Sequence, residues 1–130
     1  MLDDAEIARR LPAWCALSEL FVDTEFDEAT ARSIARQLQT TGFDEAALDL
    51  MLRREVAPVF VRNVFAGNWT GWKAEDVREM VLDHLRRRER WPARMASPLL
   101  KQFDKMMLSA FADAWQQVRN ELSRQRQAGT

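Results

Sequence analysis

At 130 residues, with apolar residues at 47%, charged residues at 30%, one cysteine and one histidine, the chain has the size and composition of one folded domain. These values exclude a disordered polymer, an internal disulfide and a cysteine-built zinc centre, and no apolar run approaches the roughly 18–20 residues that cross a bilayer. The net charge of −1 conceals a polarity: residues 1–52 carry 11 Asp/Glu against 4 Lys/Arg, whereas residues 53–130 carry 9 against 15.

Helical spacing dominates, and no alternating run is long enough to compete as a strand. The expected fold is all-α, a single compact bundle of five to six helices over residues 1–124, with residues 125–130 a frayed polar tail. The first helix is expected over Asp4–Val22, with Ile7, Leu11, Trp14, Leu17 or Ser18, and Phe21 on one face. Pro12 either kinks it or opens its main segment, because proline has no amide hydrogen to donate. The letters "FDEA" then occur at 26–29 and again at 43–46. In both, an aromatic residue precedes an aspartate N-cap, Asp27 or Asp44, and occupies the position of a hydrophobic staple. "WKAEDV" repeats the spacing from Trp72, with Val77 as the stapled residue and Lys73 as a poor cap.

The second helix should cover Glu28–Thr40, with Ala31, Ile34, Ala35 and Leu38 inward and Gly42 supplying the left-handed position beyond it. A third begins near Glu45. Its inward set, Leu48, Met51, Leu52 and Val56, runs in phase through Val59, Phe60 and Val64, which predicts a kinked helix pair jointed at Pro58. "AGNWTG" is the strongest break in the chain. The next helix, about Ala74–Arg88, presents Val77, Met80, Val81, His84 and Leu85. Ser97 and Pro98 open a long C-terminal helix striped by Leu100, Phe103, Met107, Ala110 or Phe111, Ala114, Val118 and Leu122.

Few of these residues carry chemistry. Asp23, Glu25 and Asp27 match the opening of a calcium loop, but the glycine and the closing glutamate are missing, so no metal site is expected. His84 accompanies no nucleophile and reads as a core or boundary histidine. Cys15 beside Trp14 reads as a small buried hydrophobe. Trp14 and Trp115 lie in phase with core stripes; Trp69 and Trp72 either plug the end of the core or project from it. No catalytic pair and no cofactor motif is found, and a non-enzymatic protein is expected.

Two charged surfaces remain. Glu19, Asp23 and Glu25 form an acidic patch suited to a basic partner. Arg86, Arg87, Arg88, Arg90 and Arg94 surround Trp91, an arrangement that can hold phosphates, although cations at a helix C-terminus are also favourable on their own account. Asn63, Asn68 and Trp69, around the break, have no structural assignment and are further candidate contacts.

The segments "ALSELFVDTEF", "IARQLQTTGF" and "EVAPVFVRNVFAGNWTGW", in this order and with the late "DAWQQVRNEL", resemble an uncharacterised family of small all-helical bacterial proteins, a domain of unknown function. The most specific part is "EVAPVF" followed by an asparagine and a W-x-G-aromatic segment. The resemblance implies a bacterial cytosolic helical protein with no assigned reaction, and it assigns no site residue. Lys73 departs from the family's acidic cap.

Small size, absent catalytic sets and charge polarity together favour a cytoplasmic protein-binding module, an immunity protein occluding a bacterial toxin through Glu19, Asp23 and Glu25. The acidic opening "MLDDAEIARR", unlike a secretory signal, agrees with that location. One alternative is a regulatory or adaptor module that meets an acidic or nucleic-acid partner through the arginine cluster. Another is an acid–base site of Glu55, Asn63 and Trp69. Self-association through the long last helix is a further option.

Overall fold

The computed structural model describes residues 2–21, 26–60, 72–90, 109 and 111–128, and the described residues are overwhelmingly helical with no strand among them. The protein is all-α, as its periodicity predicts. Helix α1 spans Asp4–Ser18 and ends in a 3-10 turn, Glu19–Phe21. It is followed by α2, Glu28–Gln39, and α3, Glu45–Met51. Helix α4 spans Ala74–Arg90 and α5 spans Ala112–Ala128.

Carboxylate caps fix the three N-terminal helix starts. Asp3 accepts the Glu6 amide, Asp27 the Thr30 amide and Asp44 the Ala47 amide, each at 2.7–2.8 Å. Helix α4 begins on the Lys73 carbonyl, which accepts the Val77 amide. Pro12 lies inside α1 on an exposed face, so the helix opens at Asp4 and runs through the proline. Gly42, at φ +78°, takes the left-handed turn beyond α2.

Helix α1 is the hub: it packs against α2, α4 and the segment that follows α3, while α2 lies along α5. Trp14, Leu17, Ile34, Leu38, Leu48, Val56, Phe60, Val77, Val81, Val118 and Leu122 form the fully buried centre. At one end, four aromatic rings close the core. Phe21 meets Phe111 with centroids 4.5 Å apart and Phe60 at 6.4 Å, and Phe60 meets the edge of Trp72 at 4.6 Å. Trp72, expected as a staple for Val77, closes onto the segment carrying Phe60.

The joint expected at Pro58 takes the form of a π-helical turn, Leu52–Val56, after which residues 57–60 remain helical. The inward phase survives it, with Leu52, Val56, Ala57 and Phe60 buried. Proline at 58 withholds the amide that would bond the Arg54 carbonyl four residues earlier. Arg88 supplies the missing donor, its Nη1 lying 3.1 Å from that carbonyl. Helix α5 continues to Ala128, past the point at Arg124 where polar composition suggests fraying. Gln125 donates to the Arg32 carbonyl and Arg126 to the Phe43 carbonyl, tying this end to α2 and its loop. The expected start of the last helix at Ser97 and its residues Leu100, Phe103 and Met107 lie outside the described residues, as do Val64 and the "AGNWTG" break.

If Arg88 substitutes for the amide that Pro58 lacks, Arg88→Met should cost about 0.5–1 kcal/mol in the natural chain. In a Pro58→Ala background it should cost almost nothing. Equal costs in a urea-denaturation double-mutant cycle would remove this role.

Candidate functional site

Helix α3 and its π-helical extension carry two carboxylates, each of which receives an indole from a neighbouring helix. Asp49 accepts the Trp115 Nε1–H at 2.9 Å and pairs with Arg53 at 3.1 Å. Glu55 is buried and more heavily engaged: Oε1 accepts the Trp14 Nε1–H at 2.8 Å, and Oε2 accepts Arg10 Nη1 at 2.6 Å. Arg10 in turn donates through Nε to Glu6 at 2.8 Å. The result is a chain, Glu6–Arg10–Glu55–Trp14, bridging two turns of α1 to the π-helical turn.

The electrostatics follow from this wiring. Burial works against the Arg10 charge, but its bonds to Glu6 and Glu55 outweigh it and hold the guanidinium pKa above the ordinary value. The Arg10 hydrogen bond likewise holds the Glu6 carboxyl below the usual range. Glu55 falls in the inward phase of Leu48, Met51 and Leu52, the signal by which the sequence marks a charge that must find partners. Sequence reasoning places Glu55 only in an acid–base trio. The described partners of Glu55 are instead Arg10 and Trp14, while Asn63 and Trp69 lie outside the described residues.

Of the acidic patch, Glu19 is described and exposed on the 3-10 turn, where Gln37 Nε2 donates to it at 3.1 Å. Asp23 and Glu25 lie outside the described residues. Of the arginine cluster, Arg86, Arg87 and Arg88 are exposed on the last turns of α4. Arg87 pairs with Asp83 at 3.2 Å and Arg88 serves the Arg54 carbonyl, so this face does structural work that its composition does not reveal. The Arg90 side chain, Arg94 and Asn68 lie outside what is described.

His84 sits half-buried on α4, the expected boundary position. Cys15 is half-buried, and burial, followed by the charge of Glu19, pushes its thiol pKa up. A thiol so placed is a weak nucleophile at neutral pH. Among the described residues, no three His, Cys, Asp or Glu side chains converge as a metal site, and no helix is long and apolar enough to cross a membrane.

Glu55→Ala strands the Arg10 charge and the Trp14 N–H together and should cost about 2–4 kcal/mol in chemical denaturation. Glu55→Gln, which keeps a carbonyl for Trp14, should cost clearly less; equal losses would mean the bonds contribute little beyond packing. For Cys15, the pH at which iodoacetamide labelling accelerates should lie above that of a free cysteine. Glu19→Gln should lower it only partway, because burial remains; a labelling midpoint at or below the free-thiol value would contradict the placement.

No curated protein and no solved structure matches the chain. A family model does, over residues 8–121, a span that includes Arg10, Trp14, Asp49, Glu55 and Trp115. The chain belongs to the family described as Domain of unknown function (DUF7079).

Proposed function

We propose that this is a non-enzymatic, cytoplasmic protein-binding module of bacterial origin, and specifically an immunity protein that occludes a toxin with a basic contact surface. The observation that carries the reading is the placement of Glu19. It caps the C-terminal end of α1, where the helix dipole places partial negative charge, and the last turn of α1 offers no basic residue to offset it. A carboxylate there works against the stability of the fold, and the sequence that follows adds Asp23, Glu25, Asp27 and Glu28 rather than cations. An exposed acidic end of this kind attracts a cationic partner before contact and orients its approach.

The buried chemistry agrees with a binding rather than a catalytic role. Glu55 and Asp49 spend their carboxylates on indole and guanidinium partners that join helices, and the Cys15 thiol is held in its protonated form. Occlusion needs a rigid surface and no reacting group.

Each immediate genomic neighbour of this gene should be expressed in a susceptible cell with and without this chain. One neighbour is expected to be toxic alone and tolerated together with it. With that toxin in hand, Glu19→Lys combined with Asp23→Lys and Glu25→Lys should slow association at low salt by roughly tenfold or more. Glu19→Gln should leave thermal stability equal or slightly higher. Neighbours that encode only metabolic enzymes, with no toxicity to relieve, would remove the immunity reading, and an unchanged on-rate would remove the acidic patch.

A further inference from the structure

Beside the aromatic rings that close one end of the core, a cavity of about 280 Å³ lies between the 3-10 turn, α3 with its extension and the start of α5. Phe21, Leu52, Phe111 and Trp115 give it apolar, mostly aromatic walls; Asp49, Arg53 and Arg119 are the charged groups that line it. Its volume falls just under the range of most small-ligand sites, about 300–1,000 Å³. The walls suit a single flat ring with a short substituent.

Arg119 decides what the substituent must be. Asp49 is committed to Arg53 and to the Trp115 indole, so those two charges answer each other. Arg119 has no carboxylate against it among the described residues: its Nη2 donates to the Gln116 side-chain oxygen, and its guanidinium lies 5.8 Å from the centre of the Trp115 ring. A neutral amide and a ring face offset a cation only in part. The Arg119 Nε is closed off from solvent and has no hydrogen-bond partner, a donor left unmade at a cost in free energy. Nε and Nη2 form the edge with which a guanidinium holds a carboxylate through two parallel bonds. The lining therefore favours an anion.

We propose that this cavity binds a small aromatic carboxylate, its ring among Phe21, Phe111 and Trp115 and its carboxylate on the Nε–Nη2 edge of Arg119. The guanidinium turns off the Trp115 ring to expose that edge, and Nη2 leaves the exposed Gln116 for one carboxylate oxygen while Nε takes the other. The site goes beyond the immunity reading and does not rest on it, since it needs neither a toxin nor the acidic patch.

The probe is phenylpropionate, compared with phenylpropionamide, which keeps the ring and lacks the charge, and with acetate, which keeps the charge and lacks the ring. Titration followed by NMR should shift the Trp115 indole N–H and the Arg119 Nε–H saturably with phenylpropionate, and both comparison compounds should bind roughly tenfold more weakly or less. Arg119→Gln should reduce phenylpropionate binding by a similar factor and leave the amide's binding unchanged, a difference that a purely structural role of Arg119 would not produce. Ala112→Trp, at an exposed position of the cavity lining, should abolish binding while Arg119 stays in place, and keeps the test available if the first variant is unstable. No saturable shift with phenylpropionate, equal binding of the amide or of acetate, or binding that survives either variant overturns the site.

Discussion

Two indole N–H groups donated to two carboxylates on one helical segment hold this bundle in register. Trp14 of α1 reaches Glu55 and Trp115 of α5 reaches Asp49, so α3 with its extension is gripped from both sides through polar groups at the edge of an apolar core. An indole presents a large apolar body that packs in any register, but its single donor is satisfied in only one. The pairings therefore act as a selection among alternative helix registers, a task that Leu48, Val56 and Val118 cannot perform by burial alone. Arg10 raises the stakes at Glu55, because a buried carboxylate without its cation is far more costly than an unfilled hydrogen bond.

The π-helical turn and Pro58 form a second constraint with the same logic. Widening the turn at Leu52–Val56 and removing the amide at 58 both loosen the backbone ladder, yet the apolar side chains stay inward. Arg88, from a different helix, restores a donor to the Arg54 carbonyl. The polypeptide thus trades an intrahelical bond for one between helices, and the docking of α4 becomes part of the integrity of α3's extension. A cluster of arginines that reads as a solvated helix end contributes at least one member to the internal wiring.

Much of the fold is legible in the sequence, and the reason is physical. Asp27 and Asp44 announce helix starts because their caps are local, spanning three residues. Ala31, Ile34, Ala35 and Leu38 announce the face of α2 because a strongly amphipathic helix repeats every 3.6 residues. The wiring of the candidate site is not legible in the same way. Glu55 meets partners 41 and 45 residues away, and Arg88 finds a carbonyl 34 residues away, distances at which no periodicity operates. What the sequence does display is the anomaly itself, a glutamate in an apolar phase and a proline within a helical run. Both mark places where the structure must supply partners from elsewhere. The acidic patch is legible only as composition, since exposure of Glu19 imposes no pattern on its neighbours.

The packing of α2 against α5 bears on the order in which the chain can be made. Helix α2 ends at Gln39 and α5 begins at Ala112, yet Gln125 is bonded to the Arg32 carbonyl and Arg126 to the Phe43 carbonyl. During synthesis, at about 5–20 residues per second, α2 is complete for several seconds before α5 leaves the ribosome. Through that interval Ile34, Ala35 and Leu38 lack their last covering surface. The apolar face of α2 can therefore be fully covered only once α5 has been made.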